Sequence, residues 1–232
     1  MKYKSISQKH GVLDLQYAKN RSTSLALKYR LKRRTSEVLK AINSYCNIPP
    51  KNIIDLGTAE GRMLNEIKKK FPKSNCIGVE FNQDLIEYGK KEFPNLKFIK
   101  SDVQFLKNFE QNKFDVAIAT AVIEHLEKPH NFVKQVKGIL KTNGILIITA
   151  PDPFWERVAT KVGHLADEQH HDVPNIKKIV YYVEKSGLEV KVAQKFMISP
   201  IGMPFEEKFE TILRFFKLHF LMANQLVVAV KV

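Results

Sequence analysis

Cysteine is scarce in this sequence of 232 residues, where only Cys46 and Cys76 occur and form no C-x-x-C pattern. That scarcity excludes a disulfide framework and a cysteine-rich zinc site, and it favours two thiols in a reducing compartment. The first residues lack the apolar core of a signal peptide, and no run approaches the roughly 18 apolar residues that a membrane span needs. We therefore expect a cytoplasmic protein without a transmembrane segment.

Acidic residues are also in short supply, with 24 Asp and Glu against 38 Lys and Arg, so the formal net charge is +14. Such an excess favours a polyanionic partner, which includes nucleic acid, an anionic substrate and an anionic membrane surface. Lysine is nevertheless spread along the chain, as at 68–70 and 90–91, and an ordinary solvated surface shows the same distribution. The 44% hydrophobic content is that of a globular domain and excludes a disordered or fibrous chain.

The spacing of apolar residues predicts an α/β fold. Residues 21–46 repeat apolar side chains at helical spacing, and the other faces carry five cations, which are Lys28, Arg30, Lys32, Arg33 and Arg34. After this region, short apolar strands alternate with amphipathic helices. We predict strands at 52–56, 76–80, 96–99, 114–119, 145–150, 188–198 and 225–232, with helices at 63–71, 84–92, 131–140, 175–186 and 205–220. This alternation is typical of a doubly wound parallel sheet covered on both faces.

The sequence shows no repeat, low-complexity tract or linker, so we predict a single domain over 1–232. Within it, residues 1–48 form an N-terminal helical cap and 49–151 form the cofactor-binding half. Residues 152–232 form the substrate-side half and include an irregular insertion at 152–174.

The densest signal is the strand and turn that run from Ile53 to Gly61. Glycines there let backbone amides approach a ligand, and the start of the following helix offers unpaired N–H groups. A dinucleotide site would require a third glycine at position 62, where this sequence has Arg62. Two further acids, Glu80 and Asp102, follow the next two predicted strands, where they could accept hydrogen bonds from a ribose and from an adenine amine.

Together these residues resemble the class I S-adenosylmethionine-dependent methyltransferases, in particular the ubiquinone-biosynthesis-type group that acts on small molecules. The resemblance runs from Pro49 to the carboxyl terminus and implies a Rossmann-like sheet of seven strands, mostly parallel, with an antiparallel last strand. The implied cofactor is S-adenosyl-L-methionine. By matching position, it implies that the cofactor contacts are Asp55, Gly57, Thr58, Ala59, Gly61, Glu80, Phe81, Asp102, Val103, Ala119 and Thr120. Ala59 departs from the usual glycine, and we expect a slightly tighter turn without loss of binding.

Past the fourth predicted strand, Glu124 and His125 look like the Glu-His signature of the same group, so we take them as the candidate catalytic residues. His125 is either a general base with a near-neutral pKa or a residue that shapes the loop. Metal-using relatives carry a further glutamate at the position of Ala121, and we therefore expect no metal. Candidate substrate contacts are Trp155, His170 and His171 in the insertion.

These features predict a methyltransferase that acts on an anionic small molecule at oxygen or carbon. The cations of residues 28–34, Arg33 and Arg34 included, are expected to form a lid over the cleft and to attract that substrate. An RNA methyltransferase is a less favoured alternative, because aromatic and basic residues are not interleaved as in surfaces that stack bases. A second alternative is a cofactor-binding protein that does not catalyse. The sequence does not specify the oligomeric state.

Overall fold

The computed structural model describes residues 14–161, 173–199 and 201–232. Its strands are β1 (Asn52–Leu56), β2 (Asn75–Glu80), β3 (Lys97–Lys100), β4 (Phe114–Thr120), β5 (Leu140–Pro151), β6 (Glu189–Phe196) and β7 (Asn224–Val230). Its α-helices are α1 (Leu15–Thr23), α2 (Leu25–Tyr45), α3 (Arg62–Lys70), α4 (Gln83–Glu92), α5 (Pro129–Ile139), α6 (Pro153–Lys161), α7 (Ile176–Lys185) and α8 (Glu206–Phe215). Among the residues described, no helix has the length and apolarity required to cross a bilayer.

The strands form one seven-stranded sheet in the order β3-β2-β1-β4-β5-β7-β6. Strands β1 to β5 pair in parallel, whereas β7 runs antiparallel to both β5 and β6. The direction in which strands are added reverses between β1 and β4, and open α/β sheets bind ligands beyond the carboxyl ends of the strands at such a point. The predicted fold class, a mostly parallel seven-stranded sheet with an antiparallel last strand, is confirmed.

Two apolar layers bury the sheet. Helices α5 and α7 cover one face, and α2 and α3 cover the other. The central strands are buried on both faces, which explains why β1 and β4 read as continuous apolar runs rather than as alternating ones. The two layers therefore hold the carboxyl ends of β1, β2 and β4 at one fixed edge.

The amino-terminal helical region differs from the prediction because it begins before residue 21 and consists of two helices. Ser24 separates them: its backbone N–H bonds to Asn20 of α1, and its hydroxyl accepts from the Leu27 N–H at the start of α2. In α1 the buried residue is the small Ala18, which packs against Ala59 and Leu85. Because α1 buries only this one small residue, its sequence lacks the apolar periodicity that would predict a helix.

The segment 152–174, predicted as irregular, begins with a regular helix. Asp152 starts α6 by accepting the Phe154 N–H, and Pro153 takes the first helical position, where its missing N–H costs nothing. The predicted helix at 205–220 is also shorter: α8 ends at Phe215, Lys217 has a left-handed backbone, and a separate 3-10 turn follows at His219–Leu221.

Candidate active site

The turn after β1 contains three residues with left-handed backbone, namely Gly57 (φ +76°), Ala59 (φ +51°) and Gly61 (φ +82°). At two of them a side chain has no room. A Cβ on Gly57 would lie 2.6 Å from a Val122 methyl, and one on Gly61 would lie 2.7 Å from the Phe98 ring. Ala59 holds the same conformation at a cost of about 1 kcal/mol. The turn therefore packs its backbone against the segment that follows β4 and against β3.

Asp55, at the end of β1, is almost fully buried, with 1% of its surface exposed. Its Oδ2 accepts the Thr58 hydroxyl at 2.7 Å, while Oδ1 accepts no hydrogen bond from any residue that the structure describes. Burial raises the pKa of Asp55 to about 6, against the Thr58 hydrogen bond and the charge of Arg21, which lower it. A buried acceptor without a partner points to a ligand donor.

Glu80, at the end of β2, binds the same turn. Its Oε2 accepts the Ala59 N–H at 2.9 Å, and its Oε1 accepts the Phe81 and Asn82 N–H groups at 2.8 and 2.9 Å. Burial raises the pKa of Glu80, and these three hydrogen bonds oppose the rise. Because a carboxylate offers about four acceptor positions, Glu80 shapes the turn and still retains capacity for a ribose hydroxyl.

Asp102 lies beside Glu80, since β2 and β3 pair in parallel and the Ser101 N–H bonds to the Glu80 carbonyl at 3.0 Å. Its Oδ1 accepts the Gln104 N–H at 2.9 Å. This hydrogen bond closes the first turn of the loop that contains Val103. The three acids that the sequence places after three strands thus lie at one edge of the sheet.

The two amino-terminal helices lie over this edge. Arg21 of α1 donates to Glu60 Oε2 at 3.1 Å, directly above the glycine turn. Between the helices and the turn is a cavity of about 70 Å³. Its lining residues are Tyr17, Arg21, Leu27, Arg30, Leu31, Arg34, Asp55, Gly57, Thr58, Met63 and Thr120.

The five cations of α2 do not act together as the sequence suggested. Arg30 and Arg34, one helical turn apart, line the cavity, whereas Lys28 and Lys32 are exposed. Arg34 donates from Nε and Nη2 to the Asn224 side chain at 3.2 and 3.0 Å, so α2 is tied to the start of β7. Burial lowers the pKa of Arg34, although an arginine remains charged.

Arg33 corrects the expectation of a substrate-facing lid most clearly, because its side chain is buried away from the cavity. Its guanidinium meets four carboxylates: Glu37 at 3.1 Å, Glu206 at 3.3 Å, Glu207 at 3.0 Å and Glu210 at 2.8 Å. Three of these acids belong to α8. Arg33 therefore joins α2 to α8 and is a structural residue.

The candidate catalytic pair lies on a short 3-10 helix, Ile123–His125, directly after β4. Glu124 is buried, and its negative charge favours the charged form of Arg34 across the cleft. The His125 backbone N–H bonds to the Val122 carbonyl at 3.0 Å and closes the turn. Thr120, the last residue of β4, lines the cavity, whereas Ala119 packs in the core beneath it.

The structure describes only one of the three predicted substrate residues. Trp155 lies on α6 and donates its Nε1–H to the Phe220 carbonyl at 2.8 Å, while His170 and His171 lie outside the described residues. Sequence reasoning missed Tyr17, Arg21 and Asn224. Only Arg21 gave a signal, as a cation at the edge of the helical region, since the other two acquire their role through tertiary contacts.

A parallel sheet with an antiparallel last strand, a glycine turn after β1 and acids ending the next two strands define the class I S-adenosylmethionine-dependent methyltransferases. The family model described as "Methyltransferase domain" matches residues 24–192. The chain belongs to this family, and the class and the cofactor implied by the sequence are confirmed at that level.

Three comparisons support the assignment. A malonyl-[acyl-carrier protein] O-methyltransferase of Halalkalibacterium halodurans is 32% identical over 46% of this chain and 42% of its own length. A trans-aconitate 2-methyltransferase of an Enterobacter species is 22% identical over 61% and 58%. A solved SAM-dependent methyltransferase from Archaeoglobus fulgidus shares the fold at a TM-score of 0.67, with 17% identity over 94% of this chain and all of that one. The chain thus spans about half the length of the two sequence relatives.

Proposed function

We propose that this protein transfers a methyl group from S-adenosylmethionine to a carboxylate oxygen of an anionic small molecule. The observation that carries the proposal is the cavity in which Arg30 and Arg34 of α2 face the acidic glycine turn. A site with acids on one wall and arginines on the other suits a cationic cofactor and an anionic acceptor. The names of the two sequence relatives both specify acceptors that carry carboxylates.

The residues of the turn fit the cofactor. Asp55 Oδ1, buried without a hydrogen bond from the described residues, would accept from the ammonium of the methionine part. Glu80 would accept from the ribose hydroxyls, and Asp102 with Val103 would lie at the adenine. When bound, S-adenosylmethionine supplies an electrophilic methyl group on a positively charged sulfur.

The chain then has to hold the acceptor in line with that methyl group and to exclude water. Arg34 donates two of its N–H groups to Asn224, so, as far as the described residues go, three of its five donors remain for a carboxylate. A carboxylate is already ionised at neutral pH and needs no general base. We therefore assign His125 to shaping the loop and Glu124 to orienting Arg34, rather than to proton transfer.

Access to the site requires motion of α1. The cavity of about 70 Å³ is far smaller than the roughly 300 Å³ at which small-molecule pockets begin. Helix α1 closes it through Arg21 and through Ala18, which packs against Ala59. Within the part of the chain that the structure describes, few contacts join α1 to the turn, so we propose that α1 opens to admit the cofactor and then covers it.

The cofactor assignment predicts that Glu80→Ala lowers the affinity for S-adenosylmethionine by about 1.5–3 kcal/mol, because a charged acceptor is lost from the ribose site. Isothermal calorimetry measures the change. The matched control is Glu87→Ala, which removes an exposed acid on α4 and should leave affinity unchanged. Micromolar binding of NAD with none of S-adenosylmethionine would overturn the assignment.

The reaction is tested by following transfer of labelled methyl groups to a panel of small carboxylic acids, to RNA and to lipid extracts, each with and without EDTA. We expect base-labile methyl esters to form at an unchanged rate with the chelator. Methylation of RNA alone, or loss of turnover that a divalent metal restores, would contradict the proposal.

In the same assay, replacing Arg30 and Arg34 by Gln should raise KM for the acid at least about tenfold, since a charged hydrogen bond contributes about 1.5–3 kcal/mol. Affinity for S-adenosylmethionine should change little. Lys28→Gln with Lys32→Gln removes the same charge from the exposed face of α2 and serves as the control. Equal KM values for the two double variants would mean that net charge, and not the cavity, attracts the acceptor.

A further inference from the structure

Helix α8 and the turn after it expose an unusual number of large apolar side chains. We call this surface the α8 face. It consists of Phe205, Phe209, Ile212, Phe215, Phe216, Leu218 and Phe220, all exposed. Phe205 is 71% exposed and Phe215 is 81% exposed. Scattered apolar residues are normal on a protein surface, but a contiguous group of this size marks an interaction site.

The acids of α8 do not share this face. Glu206 and Glu210 are buried against Arg33, and both also accept backbone N–H groups, from Ser199 and Met197. The remaining acid, Glu207, pairs with Lys40 of α2 at 2.8 Å. The helix therefore buries two of its three carboxylates and exposes its aromatic rings.

The charges that accompany the rings are positive. Lys208 lies over the Phe205 ring at 5.4 Å, and Lys217 and His219 are exposed in the turn that follows α8. Apolar rings with lysines beside them are typical of helices that lie in the plane of a bilayer surface and bind anionic lipids. The net charge of +14 adds long-range attraction to such a surface.

Shape and charge favour a lipid surface over a protein partner or a second copy of this chain at the α8 face. The rings project from a convex helix, and a fluid lipid phase can surround them without a complementary pocket, whereas a protein partner must supply one for each anchor. A second copy of this chain would bring another charge of +14 to the interface, which opposes association.

We propose that the α8 face docks this protein on the surface of an anionic lipid bilayer, with its phenylalanines inserted among the acyl chains and its cations at the headgroups. Docking there would place the candidate site near the membrane, because Asn224, the partner of Arg34, follows the end of the face at Phe220 by four residues.

A tryptophan beside the α8 face allows the proposal to be tested by fluorescence. Trp155 is its single tryptophan, and its indole contacts the Phe220 carbonyl at the edge of the α8 face. The intact protein is mixed with vesicles of phosphatidylcholine alone or with phosphatidylglycerol, and binding is followed by sedimentation. Brominated lipids report insertion by quenching Trp155 fluorescence. We expect binding and quenching with the anionic vesicles, weakened by salt.

Variants locate the contact. Phe209→Ser with Phe215→Ser should weaken partitioning at least about tenfold, since two large apolar rings no longer leave water for the acyl chains. Tyr181→Ser removes a comparable ring, 55% exposed, from α7 and should have no effect. The melting temperature of each variant shows whether it is folded.

The absence of sedimentation with anionic vesicles would overturn the proposal, and so would equal binding by the phenylalanine variant. Self-association that the variant abolishes, without lipid binding, would instead assign the face to a second copy.

Discussion

Replacement of Arg33 by methionine is expected to lower the free energy of unfolding by about 3–5 kcal/mol, the cost of leaving buried charge without its partner. Methionine has a similar length and fills the space, so the loss is electrostatic. Glu206 and Glu210 would remain buried without the guanidinium that both now contact. Chemical denaturation at neutral pH measures the effect, and acidification should reduce it, because a protonated glutamate needs no counter-charge.

Two further variants test whether the ion cluster is the cause. Lys32→Met removes an exposed cation from the same helix and should change stability by no more than about 0.5 kcal/mol. Adding Glu206→Gln and Glu210→Gln to Arg33→Met should recover part of the loss, since the orphaned charges disappear. If Arg33→Met were as stable as Lys32→Met, the cluster would not hold α2 to α8.

The same residue shows where sequence reasoning stops. The sheet is predictable because β1, β2 and β4 are short apolar runs, which the local sequence alone reveals. Of these, β1 is followed by a glycine and β2 ends at an acid. Three of the four carboxylates that contact Arg33 lie on α8, more than 170 residues away along the chain. Five cations in seven residues suggest a single charged patch in the sequence. In the structure the helical period turns them to different sides of α2, and α8 buries one of them, Arg33.

The candidate site divides in the same way. The roles that we propose for Gly57, Gly61, Asp55 and Glu80 follow from their positions at strand ends, which a motif records. The opposite side of the cavity is lined by Arg30 and Arg34. Their position depends on how α2 packs across the edge of the sheet. The hydrogen bond from Arg34 to Asn224 joins two segments that no local pattern connects. Motifs therefore predict the proposed cofactor contacts, whereas tertiary packing determines the proposed acceptor contacts.

Asp55→Asn is expected to lower the affinity for S-adenosylmethionine by about 2–5 kcal/mol, because the bound ammonium would lose the charge that it meets in a buried site. The affinity of the unaltered protein should fall as the pH drops through about 6, where Asp55 takes up a proton. The variant should bind weakly with little change over that range. Calorimetric titrations at a series of pH values give both results.

The same carboxylate should have the opposite effect on stability without cofactor. Its pKa rises from 3.8 in the unfolded chain to about 6 in the folded one. The folded state therefore holds the proton more tightly, and the free energy of unfolding falls by up to about 3 kcal/mol as the pH rises through this window. Asp55→Asn lacks this loss, so its melting temperature relative to the unaltered protein should increase from pH 4 to above pH 6. Asp84→Asn, at an exposed acid on α4, is the control and should show no such trend. A variant that binds the cofactor normally would remove Asp55 from the site, and a pH-independent difference in melting temperature would mean that its buried charge is not destabilising.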